Sequence, residues 1–220
     1  MSSGPPPPNS PAPRQRRRSS DALRERLIEA ATLEFTEHGY EAASTRSIAA
    51  RADAHQPQIN YHFSSKEELW RACVDRIMAD FDAAFDDVPT TTPRDAVVGT
   101  IRTLVHVLAR RPELGRLLLL EGTHDSDRLQ WIVEHHLAKR QAAMVQLWRR
   151  ALDDGVVVEV DPALVNHVLI GAAAFLYTNA SEARRLGLDP DDPDLVEEHA
   201  DTLVRLFVRD PRPEGDGGGA

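Results

Sequence analysis

Cysteine, aromatic residues and long apolar runs are all scarce in this chain. Cys73 is the single cysteine among 220 residues, which excludes an internal disulfide and is typical of a cytosolic setting. Aromatic residues make up 5% of the chain, and alternating strand patterns are nearly absent. The longest apolar stretch, Val168 to Tyr177, is shorter than the ~18 residues of a membrane span, and prolines stand where a secretory signal needs an apolar core. We therefore expect an all-α, cytoplasmic protein without a membrane anchor.

Signatures of catalysis are missing as well. The sequence has neither a Gly-rich phosphate loop nor a nucleophile elbow. His135 and His136 are adjacent, and helix neighbours point about 100° apart, so the two cannot chelate one metal together. Glu121 with His124, or Glu134 with either neighbour, could be combined into a metal site, but no further ligand at a suitable spacing supports one. We predict no catalytic residue, no metal and no cofactor, and a helical enzyme or interaction protein without DNA affinity is kept as an alternative.

Charge is distributed unevenly along the chain. The net charge is −9, but residues 1–66 carry a net +2 and residues 67–220 carry −11. A locally basic head on an acidic body fits specific DNA binding better than indiscriminate coating of DNA.

The most informative stretch runs from residue 44 to residue 69. Ser44 and Thr45 are good N-caps for a short helix that ends near Ala52. The turn that follows contains Asp53, a residue that tolerates a left-handed backbone better than most others. A second helix then starts near Gln56, which makes the stretch a predicted helix-turn-helix.

This second helix, predicted over Gln56 to His62, has one apolar and one polar side. Pro57 suits its first turn because proline lacks an N–H there, while Ile59 and Phe63 lie four apart and point to the core. Amides pair bidentately with adenine, and Tyr or His side chains reach phosphate, so the opposite side has the chemistry of a major-groove reader. The residues predicted on that side are Gln56, Gln58, Asn60, Tyr61 and His62.

The residues from about Leu23 to Trp70 resemble the DNA-binding domain of the tetracycline-repressor (TetR) family. The resemblance is carried by Thr45-Arg46-Ser47-Ile48-Ala49, by Gln56-Pro57-Gln58 and above all by Tyr61-His62-Phe63-Ser64-Ser65-Lys66-Glu67-Glu68-Leu69. It implies that Thr45 and Arg46 sit at the groove edge, that residues 56–58 approach bases, and that Tyr61, His62 and Lys66 grip phosphates. The predicted DNA-binding set is Ser44, Thr45, Arg46, Gln56, Pro57, Gln58, Asn60, Tyr61, His62 and Lys66. The chain departs from the family at the turn, where Ala52-Asp53-Ala54 replaces the frequent alanine-glycine-valine.

Composition and periodicity divide the chain into four parts. Residues 1–20 form a predicted disordered basic and Pro-rich arm, 21–66 the DNA-binding domain, 67–208 a helical effector-binding and dimerisation domain, and 209–220 a disordered tail. The arginines at 14 and 16–18 leave two interpretations open, a solvated tail or an arm that enters the minor groove.

Helix bounds follow from apolar spacing and from caps. Helices are predicted over about 21–38, 64–86, 94–110, 112–122, 126–153, 161–183 and 194–208. Gly39 is expected to stop the first of these, and Ser64 with Glu67 matches a capping box for the second. Cys73 is expected to be a small buried hydrophobe.

The last two long helices are the predicted homodimer interface. Val165, Leu169, Ala173 and Leu176 form one apolar face, and Val168, Gly171 and Phe175 form a second. A helix that is apolar on two sides is buried on two sides, although packing within one chain remains an alternative. A two-fold dimer predicts a palindromic operator in double-stranded DNA.

An effector pocket is the remaining prediction for the C-terminal half. Phe81, Met144, Trp148 and Phe175 are candidates to line an apolar pocket, and ordinary core packing is the alternative. The family resemblance implies a small-molecule effector, of unknown identity, that releases a repressor from DNA. A ligand-independent regulator or activator of the same fold is the other possibility.

Overall fold

The structure, a computed structural model, describes the backbone of residues 13–210 and the side chains of residues 19–210. The predicted arm up to residue 12 and the predicted tail from residue 211 lie outside the described residues. In the described part the regular elements are helices, together with one isolated antiparallel bridge between Val157 and Val208. The predicted all-α class is confirmed.

The chain divides into two compact units, Met1–Arg76 and Ile77–Ala220. The first unit contains α1 (Pro13–Ala42), α2 (Thr45–Arg51), α3 (Gln56–His62) and the first half of α4 (Lys66–Phe85). The boundary therefore falls inside α4. The domain limits 21–66 and 67–208 stay a prediction.

The first helix differs from its predicted bounds at both ends. It begins at Pro13 instead of Asp21, so residues 13–20, which were expected to be part of a disordered arm, are helical. At its other end Gly39 adopts φ +76°, which breaks the helix where the sequence predicted a stop, and a short helical turn continues to Ala42.

The core of the first unit is closed by aromatic residues and by the cysteine. The Tyr40 ring stacks on Phe35 with 5.7 Å between centroids and meets Trp70 edge-on at 6.2 Å. Cys73 is fully buried, and its Sγ lies 3.4 Å from the carbonyl oxygen of Ile28. Burial raises the pKa of the Cys73 thiol to about 12, which confirms its expected role as a small buried hydrophobe.

The second unit is built from the second half of α4 and the remaining helices. These are α5 (Pro93–Arg110), α6 (Pro112–Gly122), α7 (Asp127–Ile132), α8 (Ala138–Asp153), α9 (Pro162–Thr178), α10 (Ala180–Arg185) and α11 (Pro193–Phe207). Capping side chains accept backbone N–H groups at the starts of α5, α7, α9 and α11, and proline occupies the first helical position of α5, α6, α9 and α11.

Two predicted helices are interrupted. The helix expected over 126–153 contains a turn of π-helix at Val133–Leu137, between α7 and α8. The helix expected over 161–183 breaks at Asn179 (φ −105°, ψ 35°), which separates α9 from α10.

The α6 and α9 helices approach closely at Gly115. A Cβ atom at Gly115 would lie 2.5 Å from Cγ2 of Thr178 and 3.5 Å from Cβ of Ala174. The Thr178 hydroxyl donates a hydrogen bond to the Ala174 carbonyl at 3.0 Å, which fixes the direction of that methyl group. Glycine is therefore required at this contact.

Candidate functional site

The α3 helix is buried on one side only. Ile59 and Phe63 are 1% and 2% exposed and anchor the helix in the first unit, as predicted. On the other side Tyr61 is 80% exposed although it is a large aromatic residue. An aromatic ring with a hydroxyl group held in solvent beside exposed amides offers hydrogen bonds to a partner rather than to the core.

The preceding helix and turn fix the direction of α3. Ser44 caps α2 by accepting the Ser47 N–H at 3.0 Å, and the Ser47 hydroxyl oxygen accepts the Ser44 N–H at 3.3 Å. At the other end Asp53 has φ +49°, and Ala54 N–H donates to the Ala49 carbonyl at 2.9 Å. This is a Schellman turn with aspartate at the left-handed position, where glycine is usual.

The ten residues predicted to contact DNA all reach the surface. Ser44, Arg46, Gln56, Pro57, Asn60 and Tyr61 are exposed, whereas Thr45, Gln58, His62 and Lys66 are half-buried. None of the ten is buried in the core. Their roles toward bases and phosphates remain predictions.

Two of the proposed base readers have hydrogen bonds within the unit. Gln56 Nε2 donates to the Thr45 hydroxyl at 3.1 Å, which links α3 to α2. Gln58 Oε1 accepts the His55 N–H at 2.7 Å and so caps its own helix. The Nε2 group of Gln58 can donate to a base. Bidentate pairing with adenine also needs Oε1, which must then break its hydrogen bond to the His55 N–H.

His62 lies at the end of α3 in a pocket of aromatic and charged groups. Its ring meets Tyr61 edge-on at 5.1 Å. Burial, together with the nearby Arg24 guanidinium, lowers the pKa of His62, so the imidazole tends to be neutral in the absence of a phosphate. The sequence did not indicate that Arg24 lies beside the end of α3, where its guanidinium is 5.2 Å from the Phe63 ring centroid. Its position three residues before the buried Leu27 was the available signal.

Lys66 is held at the start of α4. Its Nζ donates to the Glu41 carbonyl at 3.3 Å and lies 4.5 Å from the Tyr40 ring centroid. The residue is half-buried, so part of the side chain reaches solvent.

The α4 cap differs from the predicted Ser64–Glu67 pair by one residue at each position. Ser65 Oγ accepts the Glu68 N–H at 3.0 Å, while the Glu68 carboxylate accepts hydrogen bonds from the backbone N–H of Ser64 at 2.7 Å and from its hydroxyl at 2.5 Å. These hydrogen bonds to the ionised form lower the pKa of Glu68. The predicted Ser64–Glu67 pair is therefore wrong, because Ser65 accepts the Glu68 N–H while the Glu68 carboxylate accepts from Ser64.

One group of potential metal ligands occurs among the described side chains, and it has a counter-ion. Glu34, Glu37 and His38 place ligand atoms within 4.8 Å of one another. Arg51 donates to both carboxylate oxygens of Glu37, at 3.2 and 2.6 Å, and its guanidinium lies 3.4 Å from Glu34. The hydrogen bond to Glu37 is the main reason that the pKa of Arg51 is raised. The arginine balances this cluster and ties α1 to α2.

The four residues proposed for an effector pocket differ in burial. Trp148 is 1% exposed and packs edge-on against Phe207 at 5.9 Å, and Phe175 is 62% exposed. Met144 is half-buried. Phe81 alone of the four lines a groove, of about 500 Å³, formed by α4, α5 and α6. The four-residue pocket therefore stays a prediction, and an apolar period does not show whether a given face is covered.

An exposed apolar stripe runs along α9. Val165, Leu169 and Ala173 are fully buried, as predicted for one face of this helix, whereas Leu176, the fourth residue predicted on that face, is half-buried. The second face is open to solvent, and its members Leu164, Val168, Gly171 and Phe175 are spaced by four, three and four residues. On α11, Leu206 is 61% exposed and His199 is half-buried.

Comparison with known proteins gives consistent relatives over most of the chain. The family model described as bacterial regulatory proteins, tetR family, matches residues 27–73. The HTH-type transcriptional repressor SCO4008 of Streptomyces coelicolor is 30% identical over 154 residues, which cover 66% of this chain and 73% of that protein. The HTH-type transcriptional repressor AcnR of Corynebacterium diphtheriae is 31% identical over 200 residues, covering 86% and 93%.

This chain belongs to the TetR family. The fold agrees, since a crystal structure of a TetR/AcrR-family transcriptional regulator from Thermobifida fusca superposes with a TM-score of 0.59 at 25% identity, covering 83% of this chain and 97% of that one. As a TetR-family member the chain is a DNA-binding transcriptional regulator and not an enzyme. Across residues 13–210, no helix is both long and apolar enough to cross a membrane.

Proposed function

We propose that this chain is a homodimeric repressor that binds a palindromic operator and is released by a small-molecule effector. The observation that carries the DNA-binding part is the half-buried α3 helix, with its inward Ile59 and Phe63 and its solvent-exposed amide and tyrosine side chains. The repressor assignment is supported by the relatives SCO4008 and AcnR, both of which are named transcriptional repressors.

The proposed division of labour separates bases from phosphates. Arg46, Gln56 and Gln58 select bases, and the backbone contacts come from Thr45, Tyr61, His62 and Lys66. Asn60 is exposed on the same helix, and Ser44 and Pro57 lie at the two helix starts. Gln58 must give up its hydrogen bond to the His55 N–H in order to pair with a base through Oε1. Its preference for one base over another therefore depends on the free-energy difference between the state bonded to His55 and the state bonded to the base.

Dimerisation through α9 and α11 is supported by the exposed stripe of α9. Four stripe positions at helical spacing, three of them large and apolar, are unfavourable in water and match the geometry of a helix packed against a second helix. A Cβ atom at Gly171 would meet nothing within 4 Å in the isolated chain, so a small residue is not required there by intramolecular packing. It leaves room for a partner helix to approach closely. Two α3 helices about 34–36 Å apart would then enter successive major grooves.

Effector control is proposed to act through α4. This helix begins at Lys66, one of the proposed phosphate contacts, and ends at Phe85 in the second unit. An effector changes DNA affinity only if it binds the DNA-incompetent arrangement more tightly, so its site must change shape when α4 tilts.

The DNA assignment is tested by fluorescence anisotropy with the promoter region of the protein's own gene. Lys66→Ala should weaken binding to all sequences and reduce the salt slope by about one, because it removes a phosphate contact. Gln58→Ala should relax preference at one base pair by ~1–3 kcal/mol. Lys139→Ala, which removes the only other lysine, is the control and should bind like the wild type. Equal effects of the first two variants across a panel of operators would contradict the division of labour.

The dimer is tested by sedimentation velocity with a pair of glycine variants. Gly171→Arg should convert the dimer to a monomer, because the new side chain projects from the proposed interface. Gly122→Arg is the matched control, since Gly122 is also exposed and helical, and a Cβ atom there would likewise meet nothing within 4 Å. A wild-type protein that stays monomeric at micromolar concentration ends the dimer proposal.

A further inference from the structure

A groove in the second unit has an apolar floor. It has a volume of about 500 Å³, within the ~300–1,000 Å³ range of small-molecule sites. Side chains from α4, α5 and α6 form its floor: Ile77, Phe81, Ala84, Val107 and Leu114. Such a floor favours the hydrocarbon part of a ligand, because contact with it removes apolar surface from water.

The charges at the rim of this groove are balanced with one exception. Arg111 pairs with Asp80 and lies 3.2 Å from Glu113. Arg140 does not line the groove but lies near it: its guanidinium is 5.6 Å from the Phe81 ring centroid and donates to Asp82 at 2.8 Å. The side chain of Arg110 has no ion pair or hydrogen bond among residues 19–210.

The Arg110 charge lies beside the apolar floor. Arg110 is the last residue of α5, where a cation complements the helix dipole, so its presence alone does not call for a ligand. The second observation is its position in the lining of an apolar groove in which the other lining arginine, Arg111, has acidic partners. A cation of this kind is complementary to a ligand that carries one negative charge.

We propose that this groove binds an anionic amphiphile, a carboxylate with an unbranched apolar tail, with the carboxylate on Arg110 and the tail along the floor. The proposal rests on the proposed function, because it assigns a chemical class to the effector of that regulator. Three of the floor residues, Ile77, Phe81 and Ala84, belong to α4. A tail that fills the groove therefore contacts the same helix that begins at Lys66, which couples the ligand to the DNA-binding residues.

The test compares three probes that share a tail and differ in charge. Isothermal titration calorimetry measures decanoate, decyltrimethylammonium and 1-decanol against the full chain without DNA. Decanoate should bind, and the cationic analogue should bind at least about tenfold more weakly, since a hydrogen bond to a charged group is typically worth that much or more. Binding of the two ionic probes with equal affinity, or no heat with decanoate, would overturn the proposal.

Two variants locate the site. Arg110→Gln should weaken decanoate binding at least about tenfold and leave 1-decanol binding nearly unchanged. Arg150→Gln is the matched control, because Arg150 is exposed on α8 and does not line the groove. Ala84→Trp fills the floor without touching the charge and should weaken both probes. Unchanged decanoate affinity in Arg110→Gln, or in Ala84→Trp, refutes the site.

Anisotropy with operator DNA keeps the two proposals distinguishable. If the ligand-free chain binds its promoter region and decanoate gives no heat, the inference fails and the repressor proposal stands. If decanoate binds through Arg110 but the chain has no DNA affinity, the repressor proposal fails and the ligand assignment stands. Decanoate that binds and also raises the Kd for DNA supports both.

Discussion

Replacing Gly115 with alanine should destabilise the protein, although alanine is the better helix former. In a helix interior Gly→Ala normally stabilises by about 0.8–1.0 kcal/mol. At Gly115 the added Cβ would lie 2.5 Å from Cγ2 of Thr178, a distance that forces a neighbouring atom to move. That methyl cannot rotate away without breaking the Thr178 hydrogen bond to the Ala174 carbonyl, which is worth roughly 1 kcal/mol.

The expected magnitude follows from the two opposing effects. Overpacking of a close contact costs about 1–3 kcal/mol, and the helix-propensity gain offsets about 1 kcal/mol of it, which leaves a net loss of roughly 1 kcal/mol. Gly122→Ala is the matched control in the same helix, because its Cβ would meet nothing within 4 Å. It should be neutral or stabilise by up to about 1 kcal/mol. The two variants should therefore differ by roughly 1–2 kcal/mol.

Urea unfolding followed by circular dichroism measures both variants at one protein concentration. Thr178→Ser removes the obstructing methyl and keeps the hydroxyl, so the double variant Gly115→Ala/Thr178→Ser should recover most of the loss, with a coupling energy of about 0.5–1 kcal/mol or more. A Gly115→Ala protein as stable as Gly122→Ala, or a double-mutant cycle with no coupling, would refute the close-contact reasoning.

Three further predictions concern the turn, the charge cluster and a half-buried histidine. Asp53→Gly should stabilise the first unit by about 0.5–1 kcal/mol in urea unfolding, because φ +49° suits glycine better than aspartate; a lower midpoint would contradict the turn geometry. Arg51→Met should lower the urea midpoint more than Arg71→Met, because Arg51 balances the buried Glu34 whereas the ion pair of Arg71 is exposed; equal midpoints would show that the cluster contributes nothing. Burial lowers the pKa of His199, so the unfolded chain binds the proton first and stability should fall as the pH drops below 6.5, until the folded-state pKa is passed. As the pH is lowered, the urea midpoint should fall less in His199→Gln than in the wild type. The same pH dependence of the midpoint in both proteins would show that His199 does not cause the loss of stability.

The sequence predicted best those elements whose ends carry local signals. The bounds of α3 follow from a proline in the first turn and from Ile59 and Phe63 at a spacing of four. Gly39 and Gly155 end helices at positive φ, as expected for the residue without a Cβ. The bounds of α6, Pro112–Gly122, coincide with the predicted ones.

The α4 cap, the π turn and the break at Asn179 were not predicted, because the local sequence is compatible with more than one backbone conformation at each of these places. Adjacent serines at 64 and 65 and adjacent glutamates at 67 and 68 permit two capping registers, and the hydrogen bonds of the folded chain select the second. The π turn at Val133–Leu137 has no compositional signature, because a shifted hydrogen-bond register uses the same helix-forming residues. The break at Asn179 interrupts a helical pattern that continues in sequence.

For the proposed sites, the sequence determined which side chains are inward or outward on α3 but not how they are used. That Gln58 caps its own helix depends on the backbone of His55, which no periodicity encodes. The exposure of Phe175 was missed for a different reason. An apolar stripe looks the same in sequence whether its own chain covers it or a second chain does.

The burial of Cys73 has a practical consequence for spectroscopy. It is the sole cysteine, and with a pKa of about 12 almost none of it is thiolate at neutral pH, so maleimide and nitroxide reagents should leave the native protein unlabelled. The native cysteine therefore does not need to be replaced before a labelling site is introduced. A single engineered thiol on α3 or α9 would report distances between the subunits of the proposed dimer by electron spin resonance or energy transfer without further substitutions.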